Sequence, residues 1–245
     1  PTTEQTFPLL QHRHVTLMAP QIKPRVVIVG DVHGCYDELR RLLDKCRAGA
    51  DTTVILVGDL VNKGPYSAEV VAYARQNGIL SVRGNHDEAL LKDIHRGGDI
   101  YDYANNLSPE DIQYLEQMPY TITLPEHNAI VVHAGLVPDR DLDDQRFDDM
   151  TLMRNIAVMP GPGGRVNYIT AEHGKDGKPC AALWSGPEHV YFGHDAKRGL
   201  QMEPFATGLD TGACYGRKLS AMVLPERTLV QVDSAEEYCP PKSKD

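Results

Sequence analysis

Four short segments set side chains of metal-ligand type directly after apolar runs, and they dictate what this chain can fold into. They are Gly30-Asp31-Val32-His33-Gly34, Gly58-Asp59-Leu60-Val61-Asn62-Lys63-Gly64, Gly84-Asn85-His86-Asp87, and the later pair His133 and His194. Residues this far apart act together only if the ends of several strands converge. Asp31, His33, Asp59, Asn85, His133 and His194 fill seven ligand positions when the Asp59 carboxylate is shared. Two ions bridged by one carboxylate need about that number, roughly three protein ligands for one and four for the other.

The first half of the chain repeats one unit. Arg25–Val29 is a β-branched run ending in glycine, which predicts a buried strand. Residues 36–46 place Leu39, Leu42 and Leu43 at helical spacing. Residues 53–57 give a second strand, 67–77 a second helix with Ser67 as its N-cap, and 79–82 a third strand after Gly78. Each step takes about 30 residues, as a parallel crossover requires. Ligands collect at the carboxyl ends of such strands, where Asp31, Asp59 and Asn85 all fall.

Further on, Ser108-Pro109-Glu110-Asp111 supplies a cap, a first-turn proline and acids for a helix N-terminus. Residues 120–124 and 129–132 predict a hairpin around a turn holding His127, and His133 follows directly. Residues 160–164 and 173–179 read as loops, 190–193 as a strand leading into His194, and 205–210, 218–224 and 229–232 as closing strands. The acidic run 139–144 lacks the glycine and terminal glutamate of an EF-hand and reads as a solvated face. His12 and His14 form an H-x-H with nothing nearby to complete a site. The chain then divides into a surface arm over residues 1–24, a catalytic domain over 25–233 and a tail over 234–245, frayed from 239 onward.

A net charge of −9 argues against bulk binding to nucleic acid or a membrane surface, and leaves room for a local basic pocket. The five cysteines, Cys35, Cys46, Cys180, Cys214 and Cys239, are odd in number and lack a C-x-x-C, which suits a reducing compartment. Cys35 is expected to be a small buried residue. No apolar run approaches the ~18 residues of a membrane span, and no signal-peptide core is visible, so a cytoplasmic enzyme is expected.

Mixed aspartate and histidine ligands suit Mn, Fe or Zn better than Mg or Ca. Two ions about 3.5–4 Å apart acidify a bridging water, and the resulting hydroxide suits in-line attack on phosphorus. The leaving oxygen then needs a proton or other stabilisation. His86 is the candidate, next to ligand Asn85 yet able to point across the site. Lys63, Arg83 and Arg154 are candidate phosphate clamps; a loop-supporting role is the alternative for Arg83.

The order GDVHG, GDLVNKG, GNHD, HAGL, GHD resembles the calcineurin-like metallophosphoesterases, and within them the phosphoprotein-phosphatase superfamily. The phrases GDVHGCYDEL, GDLVNKGP and LDTGACYG are most similar to symmetrical diadenosine tetraphosphatases and the eukaryotic ApaH-like phosphatases. The resemblance spans roughly residues 25–232. It implies an αββα sandwich of the α+β or α/β class, two mainly mixed β-sheets flanked by helices. It also implies Asp31, His33 and Asp59 on one metal, Asp59, Asn85, His133 and His194 on the other, most simply manganese, and His86 in the general-acid position.

One departure matters. The family's second motif usually reads Asp-Arg before glycine; here it reads Asn62-Lys63. Asn62 is expected to accept a hydrogen bond from His86 without bringing charge, which makes His86 less stable as imidazolium. Lys63 keeps a positive charge but loses the bidentate fork. A weakened acid suits a good leaving group. The leading reading is therefore a hydrolase of phosphoanhydrides such as diadenosine tetraphosphate, related nucleoside polyphosphates, capped RNA ends or polyphosphate. A serine/threonine protein phosphatase is the alternative, and a non-catalytic binding protein on the same fold a third. The expected partner is a small phosphorylated substrate; protein partners are not indicated.

Overall fold

The computed structural model describes residues 13–161, 163, 165–172 and 176–240. In chain order its strands are β1 (His14–Thr16), β2 (Arg25–Val29), β3 (Thr52–Leu56), β4 (Leu80–Ser81), β5 (Thr121–Leu124), β6 (Ala129–Val132) and β7 (Asn155–Pro160). They continue as β8 (Val166–Ala171), β9 (Lys178–Pro179), β10 (His189–Phe192), β11 (Gln201–Glu203), β12 (Ala206–Gly208), β13 (Lys218–Leu224) and β14 (Thr228–Asp233). The α-helices are α1 (Tyr36–Lys45), α2 (Ser67–Gln76), α3 (Asn85–His95), α4 (Pro109–Gln117) and α5 (Phe147–Leu152).

Two mixed sheets pack face to face. One runs β14-β13-β2-β3-β4 and the other β1-β5-β6-β10-β12-β11. β2, β3 and β4 are parallel, as the repeated strand–helix unit requires, while β13 closes antiparallel onto β2. The period-two alternation of a strand sorts β2 between two cores. Val26 and Ile28 point inward with Ile55 and Met222, against Ile122, Leu124, Val131 and Tyr191 of the second sheet. Val27 and Val29 point outward, beneath Leu39, Leu42 and Leu43 of α1 and Val70, Val71 and Ala74 of α2. The outer face of the second sheet, with Ile130, Val132 and Phe192, is covered by Met150 of α5 and by Leu136. Both faces of β2 are thus buried, and its continuous apolar run follows. Ile28 and Ile55 are wholly buried between the sheets; cutting either back to alanine opens a cavity at a cost of about 2–5 kcal/mol. This is the αββα sandwich expected from the sequence.

Several local expectations change. Ser67 is not an N-cap: Tyr66 holds that position, and the Ser67 hydroxyl accepts the N–H of Asn62 at 2.9 Å. Ser108 caps α4 as expected, in a reciprocal box with Asp111. Residues 14–16 of the presumed arm are a strand, paired parallel to β5; His12 lies outside the described residues. His14 meets Thr121 through Nδ1. Residues 155–171 contain a β-hairpin that the sequence pattern did not announce, joined by β9 into a third sheet of order β8-β7-β9. The chain past Asp233 is fastened as well: Tyr238 and Cys239 donate their N–H groups to the Cys214 carbonyl. Residues 241–245 lie outside the described residues. Among the described residues no helix is long and apolar enough to cross a membrane.

Candidate metal centre

The strands end on one edge of the sandwich, and the candidate ligands follow. Asp31 and His33 come directly after β2, Asp59 after β3, His133 after β6 and His194 after β10. Asn85 differs from expectation: it opens α3, with Gly84 as the N-cap. The positive end of that helix therefore faces the cluster. Crowding explains the neighbouring glycines. A β-carbon on Gly84 would lie 2.2 Å from Asp59 Oδ1, and one on Gly193 only 1.9 Å from Asp31 Oδ1.

Each of the three candidate ligand histidines is aimed by one backbone carbonyl. His33 Nδ1 donates to Val61 O at 2.9 Å, His133 Nδ1 to Val57 O at 2.8 Å, and His194 Nε2 to Leu152 O at 3.0 Å. The other ring nitrogen of each is then turned to the cluster, the arrangement that orients a histidine for a metal. Those atoms converge on the carboxylates. His33 Nε2 lies 3.4 Å from Asp59 Oδ2, and His133 Nε2 lies 3.4 Å from Asp59 Oδ1 and 3.0 Å from Asn85 Oδ1. Asp59 thus faces His33 with one oxygen and His133 with the other. Two metal-sized groupings meet on it: His33, Asp59 and His86, and Asp59, His133 and His194.

The electrostatics fit divalent cations. Burial, with the charges of Asp210 and Asp59 nearby, pushes Asp31 well above the carboxylate range. Burial also opposes ionisation of Asp59, but His133, His86 and His33 hold it well below its usual value. His133 pays for burial yet is pushed up to about 9 by Asp59 and Asp31. Burial lowers His33 to about 3 and His194 well below its usual value, so both keep free lone pairs at neutral pH. A buried cluster of carboxylates with two neutral imidazoles, and a His133 proton held there by Asp59 and Asp31 that a cation could replace, is what two divalent ions would complete.

The backbone is strained at the same place. Of the nine non-glycine residues with positive φ among those described, five are His33, Asp59, Asn62, Lys63 and His194. Such conformations cost about 1–3 kcal/mol each and persist where function requires them. Asparagine, aspartate and histidine tolerate such backbone better than most residues; Lys63 is the one whose type does not signal it.

His86 is set apart from the ligands by its partner. The Asn62 oxygen accepts the N–H of Lys63 at 2.9 Å, which leaves the amide nitrogen facing His86 Nδ1 at 2.8 Å. The amide therefore donates, Nδ1 accepts, and the ring proton sits on Nε2. The expectation that Asn62 accepts a bond from His86 is corrected: its oxygen is already used by the backbone. His86 thereby offers an N–H, not a lone pair, to whatever occupies the cluster.

The candidate clamps separate. Lys63 Nζ lies 2.7 Å from His33 Nε2 and 5.3 Å from the Tyr215 ring centre. Burial works against its charge, but Asp59 and Tyr215 raise it above its usual value. Arg154 borders the site, with Nη2 on the His194 carbonyl at 3.2 Å and Nη1 on that of Glu172. Arg83 is a correction. It is buried, its guanidinium binds Glu88 and the carbonyls of Leu115 and Glu116, and it stacks on Tyr120. These contacts spend it on joining α3 to α4, the supporting alternative, and leave it out of the phosphate set.

Two residues escaped the sequence reading. Asp87 is wholly buried and accepts the N–H groups of Asp59, Leu60 and Gly84 at 2.8–2.9 Å. It locks two ligand loops together. Burial and the charge of Asp59 push it up to about 7, while the Gly84 and Leu60 donors pull it down and favour the ionised form. Asp210 lies beside Asp31 and accepts the Gly212 N–H. The only signal for either was an acid inside a glycine-flanked segment. Cys35 is buried as expected, and burial raises its thiol far above the usual range.

Residues 24–205 match the calcineurin-like phosphoesterase family. The symmetrical bis(5'-nucleosyl)-tetraphosphatase of Aromatoleum aromaticum is 28% identical over 272 residues, covering 86% of this chain and 98% of that protein. The asymmetrical bis(5'-nucleosyl)-tetraphosphatase PrpE of Bacillus velezensis is 29% identical, covering 86% and 93%. A crystal structure described as a candidate diadenosine tetraphosphatase superposes with a TM-score of 0.83 at 41% identity, covering 91% of this chain and 98% of that one. A Saccharomyces cerevisiae serine/threonine phosphatase shares the fold alone, at 15% identity and a TM-score of 0.56. The chain belongs to the calcineurin-like phosphoesterase family, metal-dependent hydrolases that use a dinuclear divalent centre.

Proposed function

We propose that this enzyme hydrolyses the phosphoanhydride bonds of dinucleoside polyphosphates such as diadenosine tetraphosphate. The observation that carries the choice of substrate is the Asn62–His86 pair. Because Asn62 donates to Nδ1, protonating that nitrogen would set two donors against each other at 2.8 Å. His86 therefore works as a neutral imidazole whose Nε2–H can hydrogen-bond a leaving oxygen, and it is a poor source of a full proton. A serine or threonine alkoxide leaving group needs that proton; a nucleotide phosphate does not. The tetraphosphatase relatives named above support the same substrate class.

Asp31, His33 and Asp59 would hold one divalent ion and Asp59, Asn85, His133 and His194 the other, with manganese the best match to this mixed donor set. Such ions supply Lewis acidity and an activated water for in-line displacement at phosphorus. The chain's own residues do the rest. Lys63 gives up His33 Nε2 when that lone pair is taken, and its ammonium is then available to a phosphoryl oxygen. The N-terminus of α3 adds partial positive charge on the same side, and Arg154 borders the His194 side. His86 Nε2–H faces the leaving group.

The test is a competition among diadenosine tetraphosphate, capped RNA, inorganic polyphosphate and a phosphoserine peptide, with manganese present. The dinucleotide is expected to exceed the phosphopeptide in kcat/KM by at least about 100-fold, the lower range of what acid catalysis contributes. Faster turnover of the phosphopeptide overturns the proposal. The products, two nucleoside diphosphates or a monophosphate with a triphosphate, show which anhydride is cut.

A further inference from the structure

The loop over residues 210–217 supplies none of the six ligands, yet it is built against them. Gly212 sits at φ 76, and a β-carbon there would lie 3.1 Å from Arg217 Cδ and 3.6 Å from Tyr215 Cδ2. Glycine thus lets Tyr215 and Arg217 lie together over one point of the backbone. Tyr215 faces Lys63, whose ammonium is 5.3 Å from its ring centre and 2.7 Å from His33 Nε2. Its ring is therefore one side chain removed from the cluster. Arg217 reaches the opposite side: Nη1 donates to the carbonyl of Ala196 at 2.8 Å, two residues past His194. The pair connects the His33 side of the site with the His194 side.

The loop is held from behind. Ser234 donates its N–H to the Arg217 carbonyl at 2.8 Å and its hydroxyl to the Ala213 carbonyl at 2.6 Å. Tyr238 and Cys239 both bind the Cys214 carbonyl, and Tyr215 bridges to Glu237. Glu38, buried in α1, accepts from the Ala235 N–H and the Tyr238 hydroxyl and so anchors the strap. A fixed backbone beneath an exposed cation and a half-buried ring is the support that a recognition element needs. In a chain of net charge −9, an exposed guanidinium next to a phosphate-handling centre is a local feature and not part of a general basic surface.

We propose that Tyr215 and Arg217 select the substrate by the part that lies beyond the scissile phosphate. Arg217 takes a further phosphate of the chain through charge-assisted hydrogen bonds, and Tyr215 stacks the nucleobase. This rests on the phosphoanhydride reading of the metal site and adds to it the residues that recognise the rest of the molecule.

The test compares diadenosine tetraphosphate, inorganic tripolyphosphate and p-nitrophenyl phosphate, with metal content and melting temperature measured for every variant. Tyr215→Ala raises KM for the dinucleotide about tenfold relative to tripolyphosphate, and Tyr215→Phe, which keeps the ring, retains most of the preference. Arg217→Ala raises KM for both polyphosphates about tenfold relative to p-nitrophenyl phosphate, and Arg217→Lys recovers part of it. Equal changes on all three substrates, or none, overturn the proposal, because a merely structural loop would move them together. If the wild-type enzyme cleaves tripolyphosphate but not the dinucleotide, the proposed function fails and the Tyr215 assignment with it, while Arg217 is still decided by tripolyphosphate. If neither polyphosphate is cleaved, both proposals are overturned.

Discussion

Asp87→Asn keeps the shape of a side chain and removes half of its accepting capacity. Oδ2 takes the N–H groups of Asp59 and Gly84, and Oδ1 takes that of Leu60. An amide has one accepting oxygen. Turned toward Asp59 and Gly84, it sets its NH₂ against the Leu60 N–H; turned the other way, it strands two donors. The better orientation loses one hydrogen bond to a charged group, worth about 1.5–3 kcal/mol, and leaves a buried donor unmet at about 1–3 kcal/mol. The expected loss is about 3–5 kcal/mol, a large share of the roughly 5–15 kcal/mol that holds a domain together. At about 2–4 °C per kcal/mol for a chain of this size, the melting temperature falls by about 6–20 °C. Asp59 is one of the three donors, so metal retained after desalting falls as well. Thermal unfolding with and without a chelator, together with elemental analysis, measures both. A variant within 1 kcal/mol of wild type, with full metal content, would refute the three-way lock.

Asp59→Asn is expected to abolish turnover and to cut bound metal at both positions, since each oxygen of Asp59 faces a different histidine; full occupancy in elemental analysis contradicts the bridging role. His86→Asn should keep its metal and lose less in kcat on the dinucleotide than the about 10²–10⁴ that full proton donation supplies, since only a hydrogen bond to the leaving oxygen is removed; metal loss would make His86 a ligand instead. Arg83→Ala should lower the melting temperature while leaving KM for the dinucleotide within about twofold of wild type, because its contacts lie in α3 and α4; a tenfold rise in KM would return it to the phosphate set. Burial and the charge of Arg227 hold His189 at about 4, against 6.5 ordinarily. Between those values the unfolded chain takes a proton that the folded chain refuses, so this penalty is absent above pH 6.5, grows as pH falls and levels off below about 4. Discounted for partial solvation it amounts to about 1–2 kcal/mol, and His189→Gln should flatten the acid side of the stability curve by that amount.

What could be read from the sequence was whatever a repeating pattern carries. β2 and β3 announced themselves because burial on both faces demands an unbroken β-branched run, and α4 because Ser108 and Pro109 mark a helix start. The convergence of the candidate ligands was legible because aspartate, asparagine and histidine after glycine-bounded strands have few other uses. The third sheet was not: Val158, Met159, Val166 and Ile169 are exposed, so no alternation separates inside from outside. α3 was hidden because its first residues read as a site motif, although Leu90 and Leu91 had the spacing to show it. Arg83 was misplaced by proximity in sequence to Asn85, where the chain turns its side chain toward α4. The direction of the Asn62 amide depends on a neighbouring backbone N–H, which no residue pattern encodes.

The ligands divide between the two halves of the sandwich. Asp31, His33, Asp59 and Asn85 follow strands of the five-stranded sheet, and His133 and His194 follow β6 and β10 of the other. On the proposed ligand assignment, metal uptake would also be an assembly event. The first ligand set is complete once β3 has docked beside β2, but the second needs residues from both sheets. During synthesis it would stay open until β10 has paired with β6. A chain truncated before that strand would hold one ion at most, and a full chain in a metal-depleted cell would lose the clamp across its own seam. At free metal about 1,000 times Kd a single site adds about 4 kcal/mol to the folded state. If both ions bind as proposed, metal supply would govern the stability of the folded chain as well as its turnover.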